Sequence, residues 1–489
     1  MSNVKLRFAP SPTGYLHIGG LRTALYGYLY AKRLGGKYVL RIEDTDQSRL
    51  VGDATEKLID ILETTGITFD EGPVIKDGKI VEVGENGPYV QSKRLEIYKK
   101  YIDQLVESGH AYHCFCSKER LDELREIQKA TGKVPKYDGK CRSLTQEEID
   151  EKIANGESYV IRMKLPADKE FVFEDLVRGK VSFNSNDVDD QVLMKSDGFP
   201  TYHMAVVVDD HLMGITHAVR GEEWLSSTPK QLFLYEALGW EPTTFVHLPT
   251  VLNKDRKKLS KRQGDVATED FLAKGYLKEG LINYLALVGW SPEDNQEIFD
   301  MDELIQAFDF SRVSKSGGIF DLDKLNWVNA QHIRKADIGY ITDLVMPYLA
   351  KADFYVEKDR SWVEMVVDAV RGNVNVIAEI PALMKMFYVE GVELENDEAK
   401  EMIKLDHVKE LLAVFKAKVN EAESIDDEFA KSVFKSVQTE TGIKGKNLYM
   451  CTRVALTGCC HGPEMVEILK ILGKEGIISK IDFTTNNLI

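Results

Sequence analysis

Two short segments carry residue types suited to handling phosphate. PSPTGYLHIGG, Pro10 to Gly20, surrounds the histidine His17 with Gly14, Gly19 and Gly20. KKLSKRQGD, Lys257 to Asp265, sets Lys258 and Lys261 three apart with Ser260 between them and Gly264 just after. A glycine-rich turn that opens a helix offers main-chain N–H groups to an anion. Lysines act as point charges on the oxygens over which charge spreads in phosphoryl and nucleotidyl transfer. Each segment alone has a plainer reading, the first as a punctuating turn and the second as a solvated basic loop. Only if the fold brings them together does the phosphate chemistry become specific.

The surrounding periodicities say how that could happen. Val4 to Phe8 alternates like a strand, and Leu21, Leu25, Tyr28 and Leu29 follow the turn at helical spacing, with Gly35-Gly36 as a stop. A strand at Tyr38 to Ile42 and a helix over Ala54 to Leu62 continue a βαβ beginning. From about Tyr89 to Pro200 the pattern turns to short strands and charged turns, with YVIRMKLP, Tyr159 to Pro166, as a clear strand; this reads as an insertion. Alternation then returns. A strand over Tyr202 to Asp210 ends in acids, Ile215 to Val219 follows, a helix opens at Thr228-Pro229 and stops at Gly239, and a strand over Thr244 to Leu252 runs into the basic block. Two βα halves around an insertion would share one parallel sheet, whose ligands bind beyond the carboxyl ends of the strands. His17 and the lysines would then face each other. After about Leu325 helices dominate, and Val408, Leu411, Leu412, Phe415 and Val419 form an apolar stripe that predicts core. A further helix is predicted from Glu464, after Gly462-Pro463.

A chain of 489 residues exceeds what one core organises, and 43% hydrophobic with 29% charged residues is an ordinary globular composition. No apolar run reaches the length of a membrane span, and the N-terminus leads into no secretory segment. Six cysteines are too sparse for a disulfide scaffold, which fits a reducing cytoplasm. The net charge of −16 disfavours nucleic acid overall, yet Lys254, Arg256, Lys257, Lys258, Lys261 and Arg262 stand against the single Asp255.

PSPTGYLHIGG and KLSKR resemble the two signatures of the class I aminoacyl-tRNA synthetases. RFAPSPTG, RIEDTD, SDGFPTYHMA, VVDDHLMG and RGEEW are similar to blocks of the glutamyl-tRNA synthetase family, and the resemblance runs along essentially the whole chain. It implies an α/β fold: a split Rossmann-type parallel sheet in a catalytic domain, an inserted α+β domain, and an all-helical C-terminal anticodon-binding region. The implied division is 1–88 and 201–252 for the catalytic halves, 89–200 for an inserted acceptor-end-binding domain, 253–330 for the KLSKR loop and a stem-contact domain, and 331–489 for the helical region. Small-molecule nucleotidyl-transfer enzymes and the glutamyl-queuosine paralogue lack such a tail, and glutaminyl-tRNA synthetase ends in β-barrels.

The same resemblance implies L-glutamate, ATP with Mg2+, and tRNA-Glu as substrates of a cytoplasmic monomer. His17 and Gly19 would hold the ATP phosphates and ribose, Glu223 and Val251 would touch the nucleotide, and Lys261, helped by Lys258, would stabilise the α-phosphate and departing pyrophosphate. Glutamate has two carboxylates and one ammonium, so its pocket needs two cationic donors and an anion. Arg7 and Arg220 match the carboxylate binders, Glu43 the ammonium binder, and Tyr202, Ala9 and Ser11 line the site. Val206 stands where many relatives have Asn. Cys114, Cys116 and Cys141 resemble a zinc site whose last ligand is a histidine in some relatives; that place is Ser143 here. Tyr137 would complete the zinc shell, or the trio packs without metal as small hydrophobes. Asn373 aligns loosely with an arginine of relatives that reject tRNA-Gln, which would extend the expected substrates to tRNA-Gln; the plainer reading is a polar helix residue with no part in tRNA choice.

Overall fold

The computed structural model describes residues 3–259 and 266–489; Lys261 of the lysine segment lies outside the described residues. Two compact units form, Met1–Phe271 with Ile282–Asp321, and Leu272–Leu281 with Leu322–Ile489.

The first unit is built on a six-stranded sheet in the order Lys37–Leu40, Lys5–Phe8, His217–Gly221, Thr244–Leu248, Glu170–Asp175, Gly179–Asn184. The first five strands run parallel and the last is antiparallel. Strand β1 (Lys5–Phe8) and helix α1 (Ile18–Arg33) lead into β2 (Lys37–Leu40). Leu21, Leu25 and Leu29 are fully buried and Tyr28 nearly so, as the spacing predicts. Gly35, at φ 61°, supplies the left-handed turn after α1, a conformation side chains resist. The two halves meet where Leu6 pairs with His217, so the carboxyl ends of β1 and His217–Gly221 border one crevice.

The stretch 89–200 does two things. Ala111–Cys114, Val160–Met163 and Val192–Met194 form a separate antiparallel sheet, with the expected Tyr159 to Pro166 strand at its centre. The hairpin Glu170–Asp175/Gly179–Asn184 instead extends the central sheet, pairing Asp175 with Phe245.

Two local expectations are corrected. Tyr202 to Asp210 is no strand but part of the helix Tyr202–Leu212. His203 to Asp210 are all buried, so the helix is covered on every side. A helix apolar all round has no polar face to reveal its period, and the β-branched valines read as a strand. The strand predicted over Thr244 to Leu252 is broken into Thr244–Leu248 and Val251–Leu252, with Pro249, which cannot donate to a ladder, in the gap.

The second unit is helical. The predicted stripe Val408, Leu411, Leu412, Phe415 and Val419 is fully buried along Val408–Glu421 and joins one extended apolar core. Met465–Asn487 begins next to the predicted Glu464 and changes direction at Gly473, whose φ/ψ of 61°/−178° is non-helical. Asn373 is exposed on the turn Arg371–Asn373. No helix among the described residues is long and apolar enough to cross a membrane.

Candidate active site

The turn after β1 places His17 as the N-cap of α1, and its Nδ1 accepts the Gly19 N–H at 3.0 Å. In the neutral ring the proton therefore sits on Nε2. A Cβ on Gly19 would come 3.3 Å from Nδ1, so glycine preserves the imidazole's seat. The Ile18 N–H donates to Val266 O at 2.9 Å, and the Thr268 N–H returns to Leu16 O at 3.0 Å. His17 and Ala267 thereby form an antiparallel bridge. The expectation of an open helix N-terminus is thus narrowed: the N–H groups of Ile18 and Gly19 already have partners inside the protein.

Two cavities meet at this turn. One of about 900 Å³ is lined by Arg7, Ala9, Ser11, Glu43, Tyr202 and Arg220. The other, about 460 Å³, is lined by Gly19, Glu223, Val251 and Lys258. His17, Gly20, Thr23 and Gly221 border both. Every described residue singled out for glutamate or ATP therefore lines one of two cavities that share four lining residues. Val206 reaches neither; it is buried in the apolar cluster that contains Phe245.

The larger cavity rests on a buried ionic network. Arg7 forks onto Asp210, Nε to Oδ1 at 3.1 Å and Nη2 to Oδ2 at 3.2 Å, while Nη1 donates to Val219 O at 3.0 Å. Arg41, with no exposure, donates to Asp210 Oδ1 at 2.7 Å and to Glu43 Oε1 at 2.9 Å. Asp209 accepts from Arg94 Nε at 2.7 Å, from Tyr98 Oη and from Gln91 Nε2. Burial opposes ionisation of Asp210, but Arg7 and Arg41 more than offset it and hold the carboxyl below its usual range. For Glu43 burial wins over Arg41 and Arg7, so its carboxyl is raised. A ligand ammonium beside Glu43 would favour the ionised form.

Arg220 is held differently. Its guanidinium donates to His247 Nε2 at 2.9 Å, Gln231 Oε1 at 2.6 Å and Thr228 Oγ1 at 2.9 Å. No carboxylate pairs with it among the described residues, and burial lowers its pKa. Tyr202 stacks at a tilt on Trp224, ring centroids 4.1 Å apart, beside it. The site thus offers a guanidinium paired with Asp210, a guanidinium without a carboxylate partner and the carboxyl of Glu43, a set suited to an α-amino dicarboxylate.

Sequence reasoning missed Arg41, Asp175, Asp210, Trp224 and His247. The signal for Asp210 was available, since adjacent acids ending a valine run, Val206 to Asp210, must find buried cations. Nothing local marks Asp175 or His247.

The cysteine trio converges, all three Sγ atoms lying within 4.8 Å of one another. Tyr137 Oη is 3.4 Å from Cys114 Sγ and 3.5 Å from Cys116 Sγ, whereas Ser143 is exposed. Of Tyr137 and Ser143, Tyr137 is therefore the one whose oxygen stands beside the sulfurs, where a four-donor metal would need it. Arg162 Nε donates to Cys114 Sγ at 3.3 Å and Arg120 Nη1 to Cys116 Sγ at 3.4 Å. These guanidinium donors would favour thiolate at Cys114 and Cys116, the form in which sulfur binds a metal. The donor set fits zinc.

Residues 3–327 match the model of tRNA synthetases class I (E and Q), catalytic domain, and residues 340–484 match that of an anticodon binding domain. A glutamate-tRNA ligase of Clostridioides difficile is 52% identical over 100% of both chains, and one of Alkaliphilus metalliredigens is 54% identical, again over 100% of both. Among solved structures, a glutamate tRNA ligase from Elizabethkingia meningosepticum in complex with its amino acid superimposes with a TM-score of 0.90 at 35% identity, covering 100% of both chains. With two cavities that share the His17 turn, cationic donors for a dicarboxylate and these full-length matches, the chain belongs to the glutamate-tRNA ligase family of class I aminoacyl-tRNA synthetases.

Proposed function

We propose that the chain ligates L-glutamate to tRNA-Glu in two steps. Glutamate occupies the larger cavity, its carboxylates received by Arg7 and Arg220 and its ammonium by Glu43, with Tyr202, Ala9 and Ser11 shaping the walls. ATP, taken as its Mg2+ complex, occupies the smaller one, against Gly19, Glu223 and Val251. A glutamate α-carboxylate oxygen attacks the α-phosphorus, the bond to the bridging oxygen breaks, and pyrophosphate leaves. His17, at the border of both cavities, donates from Nε2 to a phosphate or ribose oxygen. Lys258 and Lys261 neutralise the charge that grows on the phosphates. The 2′-OH of the tRNA's terminal adenosine then attacks the carbonyl carbon of the adenylate, and AMP departs.

The observation that carries this reading is the junction of the two cavities at His17, with the arginines on one side and Lys258 on the other. Its test is glutamate-dependent, tRNA-stimulated ATP–pyrophosphate exchange in the wild type and in Lys261→Ala. A large loss of turnover with little change in glutamate KM supports the reading. Unchanged turnover removes the lysine segment from the mechanism.

For the tRNA, residues 89–200 take the acceptor end, 253–330 contact the stem and the helical unit takes the anticodon. A groove of about 420 Å³ lined by Lys446, Tyr449, Arg453 and His461 offers it cationic and aromatic groups. We extend the substrates to tRNA-Gln because Asn373, exposed and neutral, aligns loosely with the position at which discriminating relatives have an arginine. Charging purified tRNA-Glu and tRNA-Gln side by side decides it. Zinc, held by Cys114, Cys116, Cys141 and Tyr137, would cross-link the inserted stretch rather than take part in the chemistry. The enzyme would work as a monomer in the cytoplasm.

A further inference from the structure

Arg7 and Arg220 line the same cavity and are both buried, yet they are held by opposite means. Arg7 is fixed by a carboxylate, Asp210, which it shares with Arg41. Arg220 is fixed by an imidazole, an amide and a hydroxyl, all electrically neutral. The imidazole belongs to His247, which faces Arg220 in the register of two parallel strands. On its far side, His247 Nδ1 lies 2.6 Å from Asp175 Oδ2, and both side chains have no exposure. Asp175 also accepts the main-chain N–H groups of Arg178 at 2.8 Å and Val177 at 3.0 Å, so its carboxylate is anchored before it meets the histidine.

These contacts permit one tautomer. A carboxylate only accepts, so Nδ1 must carry the proton; Arg220 Nε only donates, so Nε2 must present its lone pair. Burial pushes the His247 pKa down, against the pull of Asp175, which keeps the ring neutral. The opposite tautomer would set two N–H groups against each other at 2.9 Å. A carboxylate partner would have lessened the charge that Arg220 presents to a substrate carboxylate.

We infer that Asp175 and His247 are positioning residues for glutamate: Asp175 fixes the His247 tautomer, and His247 aims Arg220 into the cavity with its positive charge uncompensated. The inference rests on the reading that Arg220 receives a glutamate carboxylate. It makes acid-over-amide selection depend on a residue of the inserted stretch, since a neutral amide gains far less than a carboxylate from an unpaired guanidinium.

The test is steady-state ATP–pyrophosphate exchange with tRNA present, for Asp175→Asn, His247→Leu, His247→Gln and Arg220→Gln, each checked for folding by thermal melting. Asp175→Asn presents an amide able to reverse the tautomer, and His247→Leu removes the acceptor. Both should raise glutamate KM about tenfold or more while ATP KM stays within about twofold. His247→Gln restores an acceptor and should recover most of the affinity, which a merely space-filling role would not predict. Normal glutamate KM in Asp175→Asn and His247→Leu, alongside a raised KM in Arg220→Gln, overturns the relay and leaves the pocket reading intact. Normal KM in Arg220→Gln overturns both. In the unmodified enzyme, 15N NMR of the imidazoles gives a reading that needs no stable variant. A neutral His247 protonated at Nδ1 between pH 6 and 8 supports the relay, and an Nε2-protonated or charged ring overturns it.

Discussion

The main chain of His17 is bridged to that of Ala267, so the histidine turn and the return of the lysine segment are stitched directly together. The bonds on either side, Ile18 to Val266 and Thr268 to Leu16, fix two segments some 250 positions apart in the chain. The main chain just beyond the lysine segment is therefore held against the His17 turn by backbone pairing.

Thr268→Pro tests that stitch. Proline is accepted at the first position of the helix Thr268–Ala273, but it deletes the N–H that Leu16 O receives, along with the Oγ1 bond to the same oxygen. We expect a stability loss of about 1–3 kcal/mol and a fall in exchange turnover of about tenfold or more. Urea melts and initial rates measure the two effects; an intact rate would mean that the turn holds its position alone.

Lys258 borders the smaller cavity, so Lys258→Ala should cut turnover about a hundredfold while glutamate KM stays within about twofold. A variant weakened mainly in glutamate binding would place this lysine on the wrong substrate.

Asp210→Asn leaves the Arg7 and Arg41 guanidiniums buried with a partner removed. Breaking a buried pair in this way costs about 3–5 kcal/mol. Glutamate KM should rise with it, because Arg7 loses its fork. Chemical denaturation read beside exchange kinetics would expose the error if stability and KM both stayed put.

Purified protein should hold one zinc ion per chain, and Cys141→Ser should lose it. Tyr137→Phe keeps three sulfurs and should weaken zinc retention against a chelator by at least about tenfold. Equal retention in Tyr137→Phe would remove the phenol from the metal shell.

Lys480 offers a pH reading in the helical unit. It is buried, donates to the carbonyls of Val389 and Gly391 at 2.7 Å each, and burial lowers its pKa from 10.5 to about 8. The unfolded chain binds that proton more tightly, so the cost of charging Lys480 is full below about 8 and fades towards 10.5. The native protein should therefore gain stability relative to Lys480→Met as pH rises through that window. A flat difference between their urea midpoints would show that Lys480 does not titrate there.

What the sequence discloses follows from how local each cause is. The α1 stripe of Leu21, Leu25, Tyr28 and Leu29 and the stripe from Val408 to Val419 are legible because each helix buries one face and so prints its period. Tyr202 to Asp210 is misread because a helix buried all round prints none. Arg7, Glu43 and Arg220 become legible as a set only through resemblance, since each alone looks like an ordinary ion-pair residue. Asp175 and His247 stay hidden because their meaning lies in a side-chain contact across 72 positions and in a tautomer, neither of which has a local signature.

The hairpin that carries Asp175 also forms the margin of the central sheet. A designer who excised residues 89–200 to obtain a smaller adenylating fragment would strip Glu170–Asn184 from Thr244–Leu248 and bare that strand's hydrogen-bonding edge, an invitation to aggregate. The smallest self-standing version of this enzyme must retain that ribbon, however little of the remaining insertion it keeps.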